Sequence, residues 1–153
     1  MAEQQEDPRT SRASVGAGDV LVVIAWEDPV VEAVGYAPES AYVEYCWLPV
    51  LGPSATFAYR RLGRLAIEAP GTRLGAGELF ACLGLGRGSG PHGPGPRALE
   101  RLGAFGVLAR REEALAVRRA LPPLTRRQLG RLPAGARAAH DRIYANRALA
   151  RTA

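Results

Sequence analysis

The sequence predicts a mainly α fold with a small β component, an α+β domain, on three observations. Apolar residues recur at helical spacing in several separate stretches, most clearly from Ser54 to Glu68. A β-branched run, Val20 to Trp26, stops at Glu27-Asp28-Pro29 and predicts one strand, with Val30, Val31 and Val34 available for a hairpin partner. Two short apolar runs, Val107–Arg110 and Ala114–Arg119, are joined by the polar Arg111-Glu112-Glu113, the pattern of a β-hairpin. A chain of 153 residues suits one compact domain plus tails.

The elements follow in order. Residues 1–18 are polar and without periodicity, and are expected as a disordered tail. Residues 19–53 hold the strand and an aromatic segment, Ser40 to Leu51 with Tyr42, Tyr45 and Trp47, packed on the core as a short helix or strand that Pro49 and Gly52-Pro53 end. Ser54 then caps the clearest helix, in which Ala55, Ala58, Tyr59, Leu62, Leu65 and Ala66 share one face and Arg60, Arg61 and Arg64 the other. A second helix is expected from Gly75 to Leu83, with Gly84 as its stop. The glycine- and proline-rich run from Gly86 to Pro96 reads as a mobile loop. Pro96 opens a third helix, Arg97 to Phe105, with Ala98, Leu102 and Phe105 facing inward. After the hairpin, residues 125–153 form further helices. Thr125 with Gln128 is a capping box, and a last helix begins at Ala134.

Charge is distributed unevenly. All twenty basic residues are arginine; residues 1–53 hold two of them against nine acids, net −7, and residues 54–153 hold eighteen against six, net +12, giving +5 in total. Such asymmetry favours a polyanion-binding C-terminal two-thirds. Cys46 and Cys82 lie in apolar surroundings and are expected as buried free thiols. No stretch approaches the ~20 apolar residues of a membrane span, and Met1 to Arg12 is polar where a signal peptide is apolar, so a cytoplasmic protein without membrane contact is expected.

Three helices followed directly by a hairpin is the element order of the winged helix-turn-helix family, and the sequence resembles that family over about residues 54–120. Glu78–Leu85 resembles its second helix and turn, and Arg97–Ala109 its recognition helix running into the first wing strand. The stretches Tyr42–Ala55 and Leu121–Leu124 also resemble a group of actinobacterial proteins that brings no activity to carry over. The winged-helix resemblance implies a core spanning 54–124 and a partner, double-stranded DNA, bound at the nucleoid by a transcriptional regulator or nucleoid-associated factor. On that reading Arg97 and Arg101, four residues apart on the exposed side of the third helix, enter the major groove. Arg110, Arg111, Arg118 and Arg119, which flank the hairpin, meet phosphates. Two features depart from the family: the connection 86–96 is long, and Glu112 and Glu113 stand at the hairpin tip, where phosphates would repel them.

Enzyme chemistry is not expected. His92 and His140 lack the close-spaced cysteine or histidine partners of a zinc site, so no metal or other cofactor is implied. Gly52-Pro-Ser54-Ala-Thr56 lacks the closing glycine of a nucleophile elbow, and the glycines from Gly84 to Gly90 lack a phosphate loop's terminal Lys-Ser/Thr. The alternative is a winged-helix adaptor that contacts protein through Tyr42, Tyr45 and Trp47 and the acidic N-terminal third. The stripe Ala136, Ala139, Ile143 and Ala150 on the last helix offers a seam for a homodimer.

Overall fold

The computed structural model describes residues 15–87 and 90–153, and its centre is the strand built from the β-branched run. That strand, β1 (Val20–Trp26), sits inside a four-stranded sheet whose order is β2-β1-β4-β3. β2 (Thr72–Gly75) runs antiparallel to β1, with Val20 opposite Gly75 and Val23 opposite Thr72. On its other side β1 runs parallel to β4 (Ala114–Arg118), pairing Val22 with Ala114 and Trp26 with Arg118. β3 (Leu108–Arg111) closes the far edge as the hairpin partner of β4. Leu21 and Val23 point into the core and are fully buried, as period-2 alternation requires.

The helices pack against this sheet. α1 (Pro29–Val34) is a short N-capped turn after β1. The aromatic segment continues from a π-helical turn, Val43–Trp47, into α2 (Leu48–Leu51). Pro49 has no N–H to donate to Tyr45, and the chain accommodates it with a wider turn in which Leu48 N–H bonds Val43. Gly52, at φ +83°, breaks the helix and lets α3 (Pro53–Glu68) begin. α3 buries Ala55, Ala58, Tyr59, Leu62 and Ala66, the face its spacing predicts. α4 (Ala76–Cys82) follows β2 directly, and α5 (Pro94–Ala104) packs on α3 through Ala98, Leu99 and Leu102. α6 (Arg126–Leu129) carries the predicted capping box, with both of its reciprocal bonds present.

The last helix, α7 (Ala134–Thr152), folds back on its own chain. Ala136, Ala139 and Ile143 pack against the core, so most of the stripe offered to a second copy is used within the chain. An aromatic ladder fixes the docking: Tyr36 stacks on Tyr42 at 3.9 Å, and His140 meets Tyr42 edge-on and Tyr144 face-on. The Tyr42 hydroxyl accepts from Leu124 N–H at 2.9 Å and lies 2.7 Å from His140 Nδ1. Every partner is satisfied when Tyr42 donates to His140, which places the ring proton on Nε2. Arg147 lies over Tyr36 and donates to the carbonyls of Val34 and Gly35, which end α1. No helix among the described residues is long and apolar enough to cross a membrane.

Several expectations change. Residues 1–14 of the expected tail lie outside the described residues; Val15 is buried, and Ala17 accepts from Gly77 N–H, so the packed chain starts ahead of Val20. Val30, Val31 and Val34 form α1 and not a hairpin strand, because Pro29 after the Asp28 cap starts a helix. α3 starts at Pro53 with Gly52 as cap, which puts Ser54 in the first turn. α5 begins at Pro94, inside the expected loop, because buried Gly95 and Pro96 seat on Phe80 and the core; the remainder of that loop at 88–89 lies outside the described residues. Phe105 caps α5 and is 38% exposed instead of facing inward. Cys46 is buried as expected, but Cys82 is exposed on the last turn of α4.

Two substitutions in α5 should act in opposite directions. A methyl group at Gly95 would sit 2.4 Å from the Phe80 ring, so Gly95→Ala should destabilise by about 1–3 kcal/mol through overpacking. At Gly103 the nearest atom is 3.9 Å away, and Gly103→Ala should stabilise by about 0.5 kcal/mol by restricting the unfolded chain. Urea denaturation of both variants checks the pair.

The buried thiol under α7 predicts a loss of stability in alkali. Burial raises the Cys46 pKa from 9.0 to about 11, while its S–H faces the Ala136 carbonyl. A raised folded value means that the contribution is complete below 9.0 and is lost as pH rises towards about 11. Thermal unfolding should show Tm falling across that interval, with a shallower fall in Cys46→Ala.

Candidate functional site

The arginines fall into two populations, those answered by carboxylates and those left open. Six acids lie in the described N-terminal segment up to Gly52, and five of them pair with arginines from beyond it: Asp19 with Arg110, Asp28 with Arg118, Glu32 with Arg119, Glu39 with Arg64 and Glu44 with Arg60. β1 places these acids, because its central position carries the N-terminal segment along the hairpin on the way to α3. The sequence asymmetry of charge is therefore largely complementarity within the chain.

The four hairpin arginines, expected on phosphates, show this most clearly. Arg118 donates from Nε to the Gly106 carbonyl at 2.6 Å and from Nη1 to Asp28 Oδ2 at 2.8 Å, with its guanidinium 4.0 Å from the Trp26 ring centroid. Asp28 is doubly engaged, since its other oxygen accepts from Val31 N–H and caps α1. The hydrogen bond from Arg118 and that cap hold the Asp28 pKa below its ordinary value. Arg119 forms a two-pronged pair with Glu32 at 2.6 and 3.1 Å, which raises the Arg119 pKa. Arg110 reaches Asp19 at 3.4 Å, and Arg111 lies against Trp26 at 5.6 Å. At the tip Glu112 adopts φ +55°, beside Glu113. A phosphate meeting this edge would have to displace carboxylates already in place.

Arg97 and Arg101 belong to the other population. Both are exposed on α5, one turn apart, and both line a cleft of about 450 Å³ between α5 and the start of α3. Arg97 has no hydrogen-bond or ion-pair partner among the described residues. Arg101 is held by one bond, Nη2 to the Val50 carbonyl at 2.8 Å, and by the Phe105 ring 5.5 Å away. Its position is fixed without neutralising its charge. Ser54 and His92 complete the polar rim, and no acidic side chain lines the cleft. No family model, curated protein or solved structure matches the chain. The site must therefore be read from its own chemistry, which is that of a concave cationic surface on a rigid helix pair.

Reading the sequence alone selects Arg97 and Arg101 but misses Ser54 and His92 as their neighbours. Ser54 reads as a helix cap and His92 as a histidine without metal-site partners, and only the packing of α5 on α3 brings them to one cleft. His140, the other histidine, serves the Tyr42 ladder. Among the described residues no group of three or more His, Cys, Asp or Glu is placed to hold a metal ion.

The dual role of Asp28 generates a prediction. Asp28→Asn should lower Tm at neutral pH, because Arg118 loses its counter-ion while Trp26 still covers it. A lowered folded pKa gives stability that is present above the ordinary value of 3.8 and lost as pH falls below it. The Tm difference between variant and parent should therefore shrink on acidification, as followed by circular dichroism.

Proposed function

We propose that the chain binds double-stranded DNA through α5, with Arg97 and Arg101 as the contacting side chains, acting at the nucleoid as a regulator or architectural factor. In this reading α3, α4, α5 and the β3–β4 hairpin are a winged-helix variant into whose sheet β1 is inserted. The order α3, β2, α4, α5 and hairpin, three helices with one short strand after the first, supports that description. The observation that carries the function is the division of the arginines: hairpin cations are held by Asp28, Glu32 and Asp19, whereas Arg97 and Arg101 stand uncompensated on an exposed helix. Guanidinium groups four residues apart on one helix suit guanine edges or neighbouring phosphates. The hairpin then acts as structure, and its role as a phosphate clamp is given up. The adaptor reading has less to support it, since of its three aromatic residues only Tyr45 is exposed and five of the six described N-terminal acids are paired.

Fluorescence anisotropy with a duplex at several salt concentrations tests this directly. Arg97→Ala with Arg101→Ala should weaken binding by about tenfold or more while leaving Tm intact, since one lost base contact costs about 1–3 kcal/mol. Arg118→Ala with Arg119→Ala should lower Tm and change affinity by no more than about twofold, the range of a surface without direct contact. The slope of log affinity against log salt should be about −2, for two cationic contacts, and not about −5, for all six candidates. Full affinity in the folded α5 double variant would overturn the reading.

A further inference from the structure

The cleft between α3 and α5 is more specific than an exposed pair of arginines, because it gathers donors of several kinds around one concavity. Arg97 and Arg101 enter from α5, His92 from the segment before it and Ser54 from the first turn of α3. The same turn brings the peptide N–H groups of Ser54 and Ala55, which the Gly52 cap leaves without a side-chain acceptor. Leu51, Pro53 and Ala98 form the apolar wall. Five of the six described N-terminal acids find an arginine elsewhere in the chain, and none of the six lines this cleft. Neither guanidinium meets a carboxylate among the described residues.

We infer that this cleft is a seat for a phosphoryl group. The choice of phosphate over carboxylate follows from the donor count. One guanidinium fork satisfies a two-oxygen carboxylate, whereas two guanidinium groups from successive turns of α5, a hydroxyl and peptide N–H groups along one cleft match a tetrahedral anion with three or four acceptor oxygens. A cleft of about 450 Å³ admits a phosphoryl group with a small body attached, or one backbone phosphate of a duplex laid across its mouth. The phosphoryl group therefore comes from a DNA backbone or from a free phosphorylated small molecule. Only the first source rests on the DNA-binding reading above.

The test titrates inorganic phosphate into the ¹⁵N-labelled full chain at constant ionic strength, with chloride as the reference, and follows the amides of Ser54 and Ala55 and the side-chain Nε of Arg97. Saturable shifts confined to the cleft are expected, weakened by about fivefold or more in Arg97→Ala, as for loss of a charge-assisted bond, and unchanged in Arg119→Ala. Both variants are checked by thermal unfolding, and Ser54→Ala gives a second, milder probe from the opposite wall. Shifts no larger than those from chloride, or shifts that survive intact in Arg97→Ala, overturn the inference. Competition then separates the sources: if a backbone phosphate occupies the cleft, inorganic phosphate displaces duplex DNA more than chloride of equal ionic strength does, and if the occupant is a free ligand, the two salts act alike. A cleft that binds phosphate in a chain that ignores DNA sinks the DNA reading alone. DNA binding beside a silent cleft sinks this inference alone.

Discussion

The placement of β1 between β2 and β4 is the constraint on which the rest of the architecture depends. A strand bonded on both sides satisfies its backbone groups within the sheet and buries Leu21 and Val23 beneath α3. Because β1 runs parallel to β4, its C-terminal end stops beside Arg118, and the residues that follow it must pass the hairpin before they turn to α3. Asp28 arrives there as both helix cap and counter-ion, and Glu32 arrives one turn later against Arg119. The N-terminal segment is thus structurally part of the hairpin, and the hairpin's electrostatics cannot be described without it.

That geometry explains why a net-charge argument from sequence does not tell which arginines meet a carboxylate within the chain. Charge summed over thirds of a chain predicts polyanion affinity only if the thirds stay apart, and here the described part of the acidic segment, from Val15 on, is threaded through the basic one. Partly buried pairs such as Arg118–Asp28, covered on one side by Trp26, are screened by salt less than exposed ones and resist exchange for an external phosphate. Arg64, by contrast, pairs with Glu39 at an open surface, where such a contact contributes little.

Long periodic signals were legible, and elements decided by tertiary pairing were not. The alternation of Val20 to Trp26, the face of α3, the hairpin and the Thr125–Gln128 box all carry their instructions within a few residues. β2 does not: Thr-Arg-Leu-Gly has one β-branched residue and extends only because the free edge of β1 lies beside it. The start of α5 at Pro94 was hidden for a similar reason, since a glycine between two prolines reads as loop until Phe80 supplies a ring for it to pack on. Phe105 looked like core by spacing, but it falls at the cap of α5, where helical periodicity no longer sets its direction, and it lies instead against Arg101. In the candidate site, residue type was enough to select Arg97 and Arg101. Ser54, 43 residues earlier in the numbering, could join them only once α5 was laid across the start of α3.

The cationic cleft contrasts with the hairpin, where three of the four arginines meet a carboxylate. No carboxylate lines this cleft, so Arg97 and Arg101 keep their full charge there. The residues that do line it are small, apolar or donors, and Arg101 is braced against Val50 and Phe105 in a way that orients its charge without reducing it. Stability alone gives no reason for that arrangement. A ligand that supplies the missing negative charge does, since every donor held in advance is one whose ordering cost has already been met before the anion arrives.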